Sequence, residues 1–428
     1  MAKVNDTHPY ILMTFIGALY LSQGVPMGLA FVGLPAIMRS LGISTELIGL
    51  LGIVILPWAI KFMWAPLVDR LQGGPFGPRK SWIIPTQIIC GLLFFALAFL
   101  ITGDKSDFTL VIGIIILINT VSATQDIAAD GLAIDCFKGK QIDQINGWQI
   151  GAFAIGMAIG GSATLILYDN GGWSLALITL GCIMLSPLIL AFFVKEPEKT
   201  STAQQSHHDE KPSIKQTFKR PNAAKIIIVA ALFQSVHAMV NAMGGPFLVD
   251  AGLSLTEIGT LTGTVITVFA VIGSLFGAIC AGFIGAPLTA ILAGSIAAVA
   301  LSLWLGPAQS MKVTFNEVLM ITGFISIFVF TAYAAFFTIF MRWASPKQAG
   351  TDFTVLQCTE TFFAGLAAMV AGVLVGQFGF YNFYLITLFM AILAMTWIGF
   401  SFFRLGYLSQ PWLQKTKNNE GDAQSAQS

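Results

Sequence analysis

Charge is what this chain lacks most. Only 10% of its 428 residues are Asp, Glu, Lys or Arg, where a globular domain carries about 25%, so the missing charge must be matched by missing water. A formal net charge of +1 provides no basic footprint for nucleic acid and no acidic one for a basic partner. Cysteine is scarce as well. Cys90, Cys136, Cys182, Cys280 and Cys358 lie in or beside apolar runs without metal-ligand spacing, so they read as small packing residues. There is no Gly-Lys-Ser/Thr phosphate loop, which excludes that nucleotide site. Of four histidines only His237 falls inside an apolar run, and the pair His207–His208 sits in a polar stretch. An enzyme, a metal centre and a bound cofactor are therefore not expected.

What the chain has is apolar length. Hydrophobic residues make up 56% of it, with 35 Phe and 9 Trp. They gather in twelve runs, about 10–38, 46–68, 81–102, 108–134, 145–168 and 173–194, then about 223–249, 256–283, 287–307, 315–343, 352–376 and 382–404. Each is near or above the ~20 residues a helix needs to cross a ~30 Å hydrocarbon core. The expectation is an all-α integral membrane protein with 12 transmembrane helices. The first run has no short apolar core and no small-residue cleavage site, so it reads as a retained helix.

The polar stretch 195–222 splits the runs six and six. This predicts a six-helix bundle over 1–194, a linker over 195–222 that reads as a loose tether, and a second six-helix bundle over 223–406. A tail covers 407–428, of which Lys417–Ser428 is polar, free of aromatics and without drive to fold. Lys and Arg crowd the even loops and both termini. The opposite face keeps Arg39, Lys105 and Lys312, and Lys61 lies inside a run. The bias of basic residues predicts that both termini are cytoplasmic. Loops and tails this short leave no room for a folded signalling domain.

The halves echo each other at an offset near 210. Leu41-Gly42-Ile43-Ser44 with Glu46 and Gly49 recurs as Ala251-Gly252-Leu253-Ser254 with Glu257 and Gly259. Each marks a turn and a helix start, and Ser254-x-x-Glu257 fits a capping box. Pro35 matches Pro246, and Gln23 matches Gln234. Parallel six-span halves with a binding site near the midplane are the logic of the major facilitator fold. By that analogy runs 1, 4, 7 and 10 line a cavity.

Lys61-Phe62-Met63-Trp64-Ala65-Pro66-Leu67-Val68-Asp69-Arg70 leads into Gly77-Pro78-Arg79-Lys80-Ser81-Trp82. This resembles the loop 2–3 signature of major facilitator proteins, in the form used by AmpG-like permeases. Ala123-Thr124-Gln125-Asp126-Ile127-Ala128-Ala129-Asp130-Gly131 is a second match. Together they resemble the branch holding muropeptide permeases, acetyl-CoA transporters and RhtX/FptX-type siderophore permeases. Tyr20-Leu21-Ser22-Gln23-Gly24-Val25-Pro26 and Leu56-Pro57-Trp58-Ala59-Ile60-Lys61 are most similar to the siderophore permeases. The specific motifs cover the first half only. Pro78 stands where the family loop has a basic residue, and the second-half loop 281–287 carries no charge.

The resemblance implies a proton-coupled secondary transporter of the inner membrane that imports a bulky, oxygen-rich solute, a ferric siderophore first. Muropeptide uptake by the same machinery is the alternative, and the fold serves drug or metabolite efflux by proton antiport equally. The implied partners are a small-molecule substrate and the lipid bilayer, with no nucleic acid, and the fold analogy implies a monomer. It also makes Asp69, Arg70, Arg79 and Lys80 a conformational latch, with Asp69 facing a helix N-terminus of the other half. An ordinary solvated helix end is the alternative.

Counting residues at ~1.5 Å each places Lys61, Asp126 and Glu360 at one depth, about 12 Å inside the boundary. Charges so deep need partners or a wet cavity. One base and two acids can satisfy each other, either as a proton-coupling group or as a static ion-pair cluster. Asp130 follows Asp126 by one helical turn, and its role stays open between pairing with Lys138 or Lys140 and facing the cavity. Gln234, His237 and Asn241 form one polar stripe on run 7, with Gln23 expected to face it. Such groups suit an oxygen-rich solute and serve equally as hydrogen-bonding glue between helices. Tyr333, Phe336 and Phe337 could offer aromatic surface to the cavity. Gly147, Gly151, Gly156, Gly160 and Gly161 on run 5 allow close helix approach.

Overall fold

The computed structural model describes residues 9–70, 75–100, 107–137, 140–194, 196, 214–343 and 349–407. Every regular element among them is helical, as hydrocarbon demands of a chain that cannot leave backbone N–H and C=O groups unpaired. In chain order they are α1 (Tyr10–Ser40), α2 (Thr45–Met63) and α3 (Lys80–Leu100), then α4 (Phe108–Cys136), α5 (Lys140–Ala158) and α6 (Thr164–Leu185). The short α7 (Ile214–Lys219) and the long α8 (Ala223–Asp250) follow, with α9 (Leu255–Ile284) and α10 (Ala286–Ser310), α11 (Phe315–Trp343) and α12 (Ala349–Arg404).

Among the described residues ten helical stretches are long and apolar enough to cross a membrane. Two of them, Gly151–Ala191 and Val355–Arg404, have 41 and 50 residues, enough for two crossings each. Each breaks at a glycine with a left-handed φ, Gly172 at 76° and Gly379 at 75°, which falls where the hydropathy reading separates runs 5 from 6 and 11 from 12. Large side chains such as Phe192, Phe283 and Leu100 are left exposed, as expected for surfaces solvated by lipid.

The repeated turn has one geometry in both halves. Gly42 N donates to Arg39 O and Ile43 N to Met38 O, at 2.8 and 3.0 Å, and Gly252 N and Leu253 N donate to Val249 O and Leu248 O, both at 3.0 Å. This is the Schellman closure of a helix, and it needs a positive φ at the glycine, here 74° and 96°. The predicted capping box forms: Ser254 Oγ accepts from Glu257 N at 3.2 Å and Glu257 Oε2 from Ser254 N at 2.9 Å.

The chain divides into two compact units. Unit 1 comprises residues 1–210, 241–263 and 368–376, and unit 2 comprises 211–240, 264–367 and 377–428. In unit 1, α1 touches α5 and the π-helical stretch Ile159–Ala163 that continues it, backbone to backbone. A Cβ on Gly156 would lie 1.9 Å from Leu21 O, and one on Gly160 1.9 Å from Val25 O. Gly161 is close to Val32, whereas Gly151 has open space around it. Gly147 lies outside the residues whose side-chain surroundings are described.

In unit 2 the same device joins α9 to α11, with Gly273 against Ile327 O and Gly277 against Thr331 O. The end of the expected linker is anchored. Thr217 of α7 donates to Asp352 Oδ1 at 2.6 Å, Arg220 pairs with the other oxygen, and its guanidinium stands 4.5 Å from the centre of the Trp343 ring.

Candidate functional site

The apolar runs place a set of ionisable side chains inside unit 1. Lys61, at the end of α2, donates to Asp126 Oδ2 on α4 and lies 5.2 Å from the centre of the Trp58 ring. Asp126 is buried. One turn further along α4, Asp130 Oδ1 accepts from the Tyr20 hydroxyl of α1. Two indoles fasten α2 and its end to α4: Trp58 Nε1 donates to Asn119 Oδ1 at 3.0 Å, and Trp64, just after α2, donates its Nε1 to Thr124 Oγ1 at 3.1 Å. An acid bonded to an ammonium group and an acid bonded to a neutral hydroxyl thus stand one helical turn apart.

Glu360 is described within its own unit. It belongs to unit 2, where its side chain is buried and its Oε1 has no hydrogen-bond partner. Of the expected trio, Lys61 and Asp126 are paired within unit 1, and Glu360 belongs to unit 2.

Gln23 is fully buried. Its Nε2 donates to Gln125 Oε1 at 3.4 Å, Gln125 donates to Gln87, and Gln87 donates to the Met184 carbonyl. This ladder crosses unit 1 from α1 to α6 and favours the glue reading for Gln23, although Gln23 Oε1 remains without a partner. Gln87 and the Tyr20 hydroxyl are the bonding groups here that the expected site residues do not include. Their signal was a lone polar group in an apolar run, which in hydrocarbon must find a partner.

In unit 2 the stripe on α8 meets α11. Tyr333 donates its hydroxyl to Gln234 Oε1. Around the Tyr333 ring stand Phe233 at 5.2 Å, Phe337 at 5.5 Å, His237 at 6.0 Å and Phe330 at 6.4 Å between centroids. Phe336 is fully buried among Phe233, Phe340 and Phe402, so it is core and not cavity surface. Asn241, further along α8, is exposed. A small cleft of about 60 Å³ lies inside unit 2, lined by His237, Phe233, Gly294, Ala298, Ala391 and Met395 among others. His237 supplies a polar group in an otherwise apolar wall.

Of the expected latch residues, Arg79 and Lys80 are the ones whose side chains are described. Arg79 Nε donates to Asp135 Oδ2 at 3.0 Å, and Lys80 Nζ to Val194 O at 2.7 Å. The amides of Arg79 and Lys80 both donate to the Glu196 carboxylate, which caps the buried start of α3 as an anion should. Burial pushes the Glu196 carboxyl above its usual range, and the Arg79 and Lys80 amides pull it part of the way back. Arg79 lies flat on Gly131, where a Cβ would come within 2.3 Å of the guanidinium carbon. Arg79 and Lys80 thus bond inside unit 1. The side chains of Asp69 and Arg70, at the end of Ala65–Arg70, lie outside the described residues.

With fold and site in view, the comparisons define the class: this is a multi-pass membrane transporter. The chain belongs to the Major Facilitator Superfamily, whose profile matches residues 16–341. It is 24% identical over 407 residues to an uncharacterized protein of Haemophilus influenzae, covering 92% of this chain and 95% of that one. It is 25% identical over 392 residues to a putative transporter AmpG 4 of Rickettsia felis, covering 87% and 92%. The anhydromuropeptide permease of Escherichia coli K12 matches at 27% over 263 residues, 60% of this chain and 53% of the permease. Among solved structures, a bacterial homologue of the human lysosomal transporter Spinster aligns with a TM-score of 0.70 at 15% identity, over 93% of this chain and 97% of that one. The nucleoside transporter NupG aligns at 0.67 and 16%, over 91% and 100%.

Proposed function

We propose that this protein is a proton-driven permease that brings a bulky, oxygen-rich solute across the inner membrane, with both termini in the cytoplasm. The observation that carries the proton coupling is the paired arrangement in unit 1. Lys61 holds Asp126 as an ion pair, while Asp130 meets the neutral hydroxyl of Tyr20. Asp126 is then the fixed charge, and Asp130 is the carboxyl placed to gain and lose a proton. Glu360, buried with a free carboxyl oxygen, is a second proton carrier. Gln234, His237, Asn241 and Tyr333 would meet the solute. The Lys/Arg bias of the loops supports the orientation.

For the solute, the named relatives put an anhydromuropeptide ahead of a ferric siderophore. The siderophore remains the second reading, favoured by Tyr20–Pro26 and Leu56–Lys61. The test is uptake of radiolabelled anhydromuropeptide, and separately of radiolabelled ferric siderophores, into energised cells with and without the protein, repeated with a protonophore. Protein-dependent uptake of wall fragments that collapses with the protonophore is expected. In Asp130→Asn, uptake should lose its response to an imposed pH gradient. Siderophore uptake alone would select the second reading. Drug resistance on expression with neither uptake would replace import by antiport efflux.

A further inference from the structure

The short helix α7 shows unit 2 one side only. Thr217 is fully buried and donates to Asp352 Oδ1 at 2.6 Å. Asp352, fully buried in the first turn of α12, pairs through its other oxygen with Arg220. Trp343, the last residue of α11, donates its Nε1 to Pro221 O at 3.3 Å. A hydroxyl and a guanidinium on one buried carboxylate fix both the position and the roll of α7. Asn222, with a left-handed φ of 64°, then turns the chain, and α8 begins at Ala223.

With Thr217 held inward, Lys215, Gln216, Phe218 and Lys219 are left outside. The Phe218 ring is 59% exposed although its neighbour Thr217 is fully buried. Lys215 and Lys219 stand one helical turn apart, a basic stripe beside that ring. Like charges at this spacing repel, and among the described residues neither ammonium group has an acidic partner.

The start of α8 adds an independent sign. Its first turn holds Lys225 and no acid, the reverse of what the helix dipole favours, and Lys225 also has no partner among the described residues. Three ammonium groups within eleven residues of sequence thus lack an anion. Lipid is close by. Ala223 opens a membrane-crossing helix and follows Lys219 by four residues, a reach of at most about 14 Å. A soluble anion would meet the lysines and leave the ring in water. An anionic phospholipid meets both, with phosphate oxygens accepting from the lysines and the ring at the acyl boundary.

We propose that α7 and the first turn of α8 form a binding surface for anionic phospholipid headgroups. Phe218 seats below the headgroups, and Lys215, Lys219 and Lys225 hold their phosphates. The proposal rests on α8 crossing the bilayer and on neither the solute nor the proton coupling.

The test uses the full chain with its five native cysteines replaced and a bimane fluorophore on Gln216→Cys. The protein is reconstituted in phosphatidylcholine vesicles with a rising share of phosphatidylglycerol. A saturating blue shift of the emission is expected. Lys215→Gln with Lys219→Gln should raise the phosphatidylglycerol share at half-shift at least about five-fold, and Lys215→Arg with Lys219→Arg should keep it within about two-fold. High salt should weaken the shift by screening the lysines, and Phe218→Ala should remove most of what remains. The same label on Gln309→Cys, at the end of α10, should not follow phosphatidylglycerol. Size-exclusion elution checks that each variant folds. An unchanged half-point in the glutamine variant, or an equal shift at Gln309→Cys, overturns the proposal. An equal shift from soluble glycerol phosphate in pure phosphatidylcholine vesicles also overturns it, and assigns the surface to a soluble anion. Because no solute is needed, failure of every uptake assay would leave this result readable on its own.

Discussion

The two 29-residue helices α4 and α11 occupy corresponding places in the two halves, yet their interiors differ in kind. Laid end to end, they set Asp126 against Tyr333 and Asp130 against Phe337. In unit 1 those positions carry an ion pair and a carboxyl bonded to a phenol. In unit 2 they carry the centre of an aromatic cluster, with Gln234 as the acceptor of its one hydroxyl. One architecture has thus been given charge chemistry in one half and ring surface in the other. Duplicated halves do not imply duplicated chemistry: the first half carries ionisable groups at these positions, the second aromatic rings.

The comparison breaks most sharply at Lys61 and Asp126. Removing Lys61 takes the ammonium partner from the buried Asp126 carboxylate, and removing Asp126 takes the ion-pair partner from Lys61, at a cost of up to about 3 kcal/mol. Lys61→Ala and Asp126→Ala should each lower the melting temperature in detergent and abolish gradient-driven uptake. The double replacement Lys61→Met with Asp126→Leu should regain stability without uptake. Equal stability of single and double variants would show that the pair is not load-sharing.

A smaller loss is expected at Gly131→Ala. The added methyl meets the Arg79 guanidinium and should destabilise by about 1–3 kcal/mol, read as a lower melting temperature that Arg79→Ala partly relieves.

In unit 2, Tyr333→Phe keeps the ring and removes the bond to Gln234, worth about 1 kcal/mol. The apparent KM should rise about five-fold with protonophore sensitivity intact. A lost proton response in that variant would erase the division of labour.

The smallest effect concerns pH. Glu196 is raised above its ordinary value by burial, so the folded chain holds that proton more tightly than the unfolded one. Its contribution to stability is present at low pH and is lost as pH rises through the raised value. Glu196→Gln should flatten this part of the melting curve against pH.

Much of the architecture could be read from apolar length alone, because in a bilayer a long apolar run has few alternatives to a helix. The breaks between runs 5 and 6 and between 11 and 12 were visible as polar or glycine-bearing gaps, and Gly172 and Gly379 occupy them. Lys61 and Asp126 were found by counting depth along two helices, which works because rise per residue is fixed. The same count sets Glu360 at that depth but cannot say which unit receives it, and it lies in unit 2. Arg39 and Asp250 each look like a solvated span end, and a separation of 211 residues leaves no local pattern to betray their pairing. Arg79 and Lys80 were assigned to a latch by family resemblance. Their described bonds to Asp135 and Val194 depend on where α4 and the end of the first bundle stop, which hydropathy locates only loosely.

The glycine contacts of α1 with α5 bear on how freely such a sequence can drift. At Gly156 and Gly160 a carbonyl of the neighbouring helix lies where a methyl group would be, so even alanine would force the two backbones apart. Along the lipid-facing side of the same helices one apolar residue can replace another at little cost. Descendants of this chain could thus diverge over most of their length while a few positions, defined by the absence of a side chain, stay frozen.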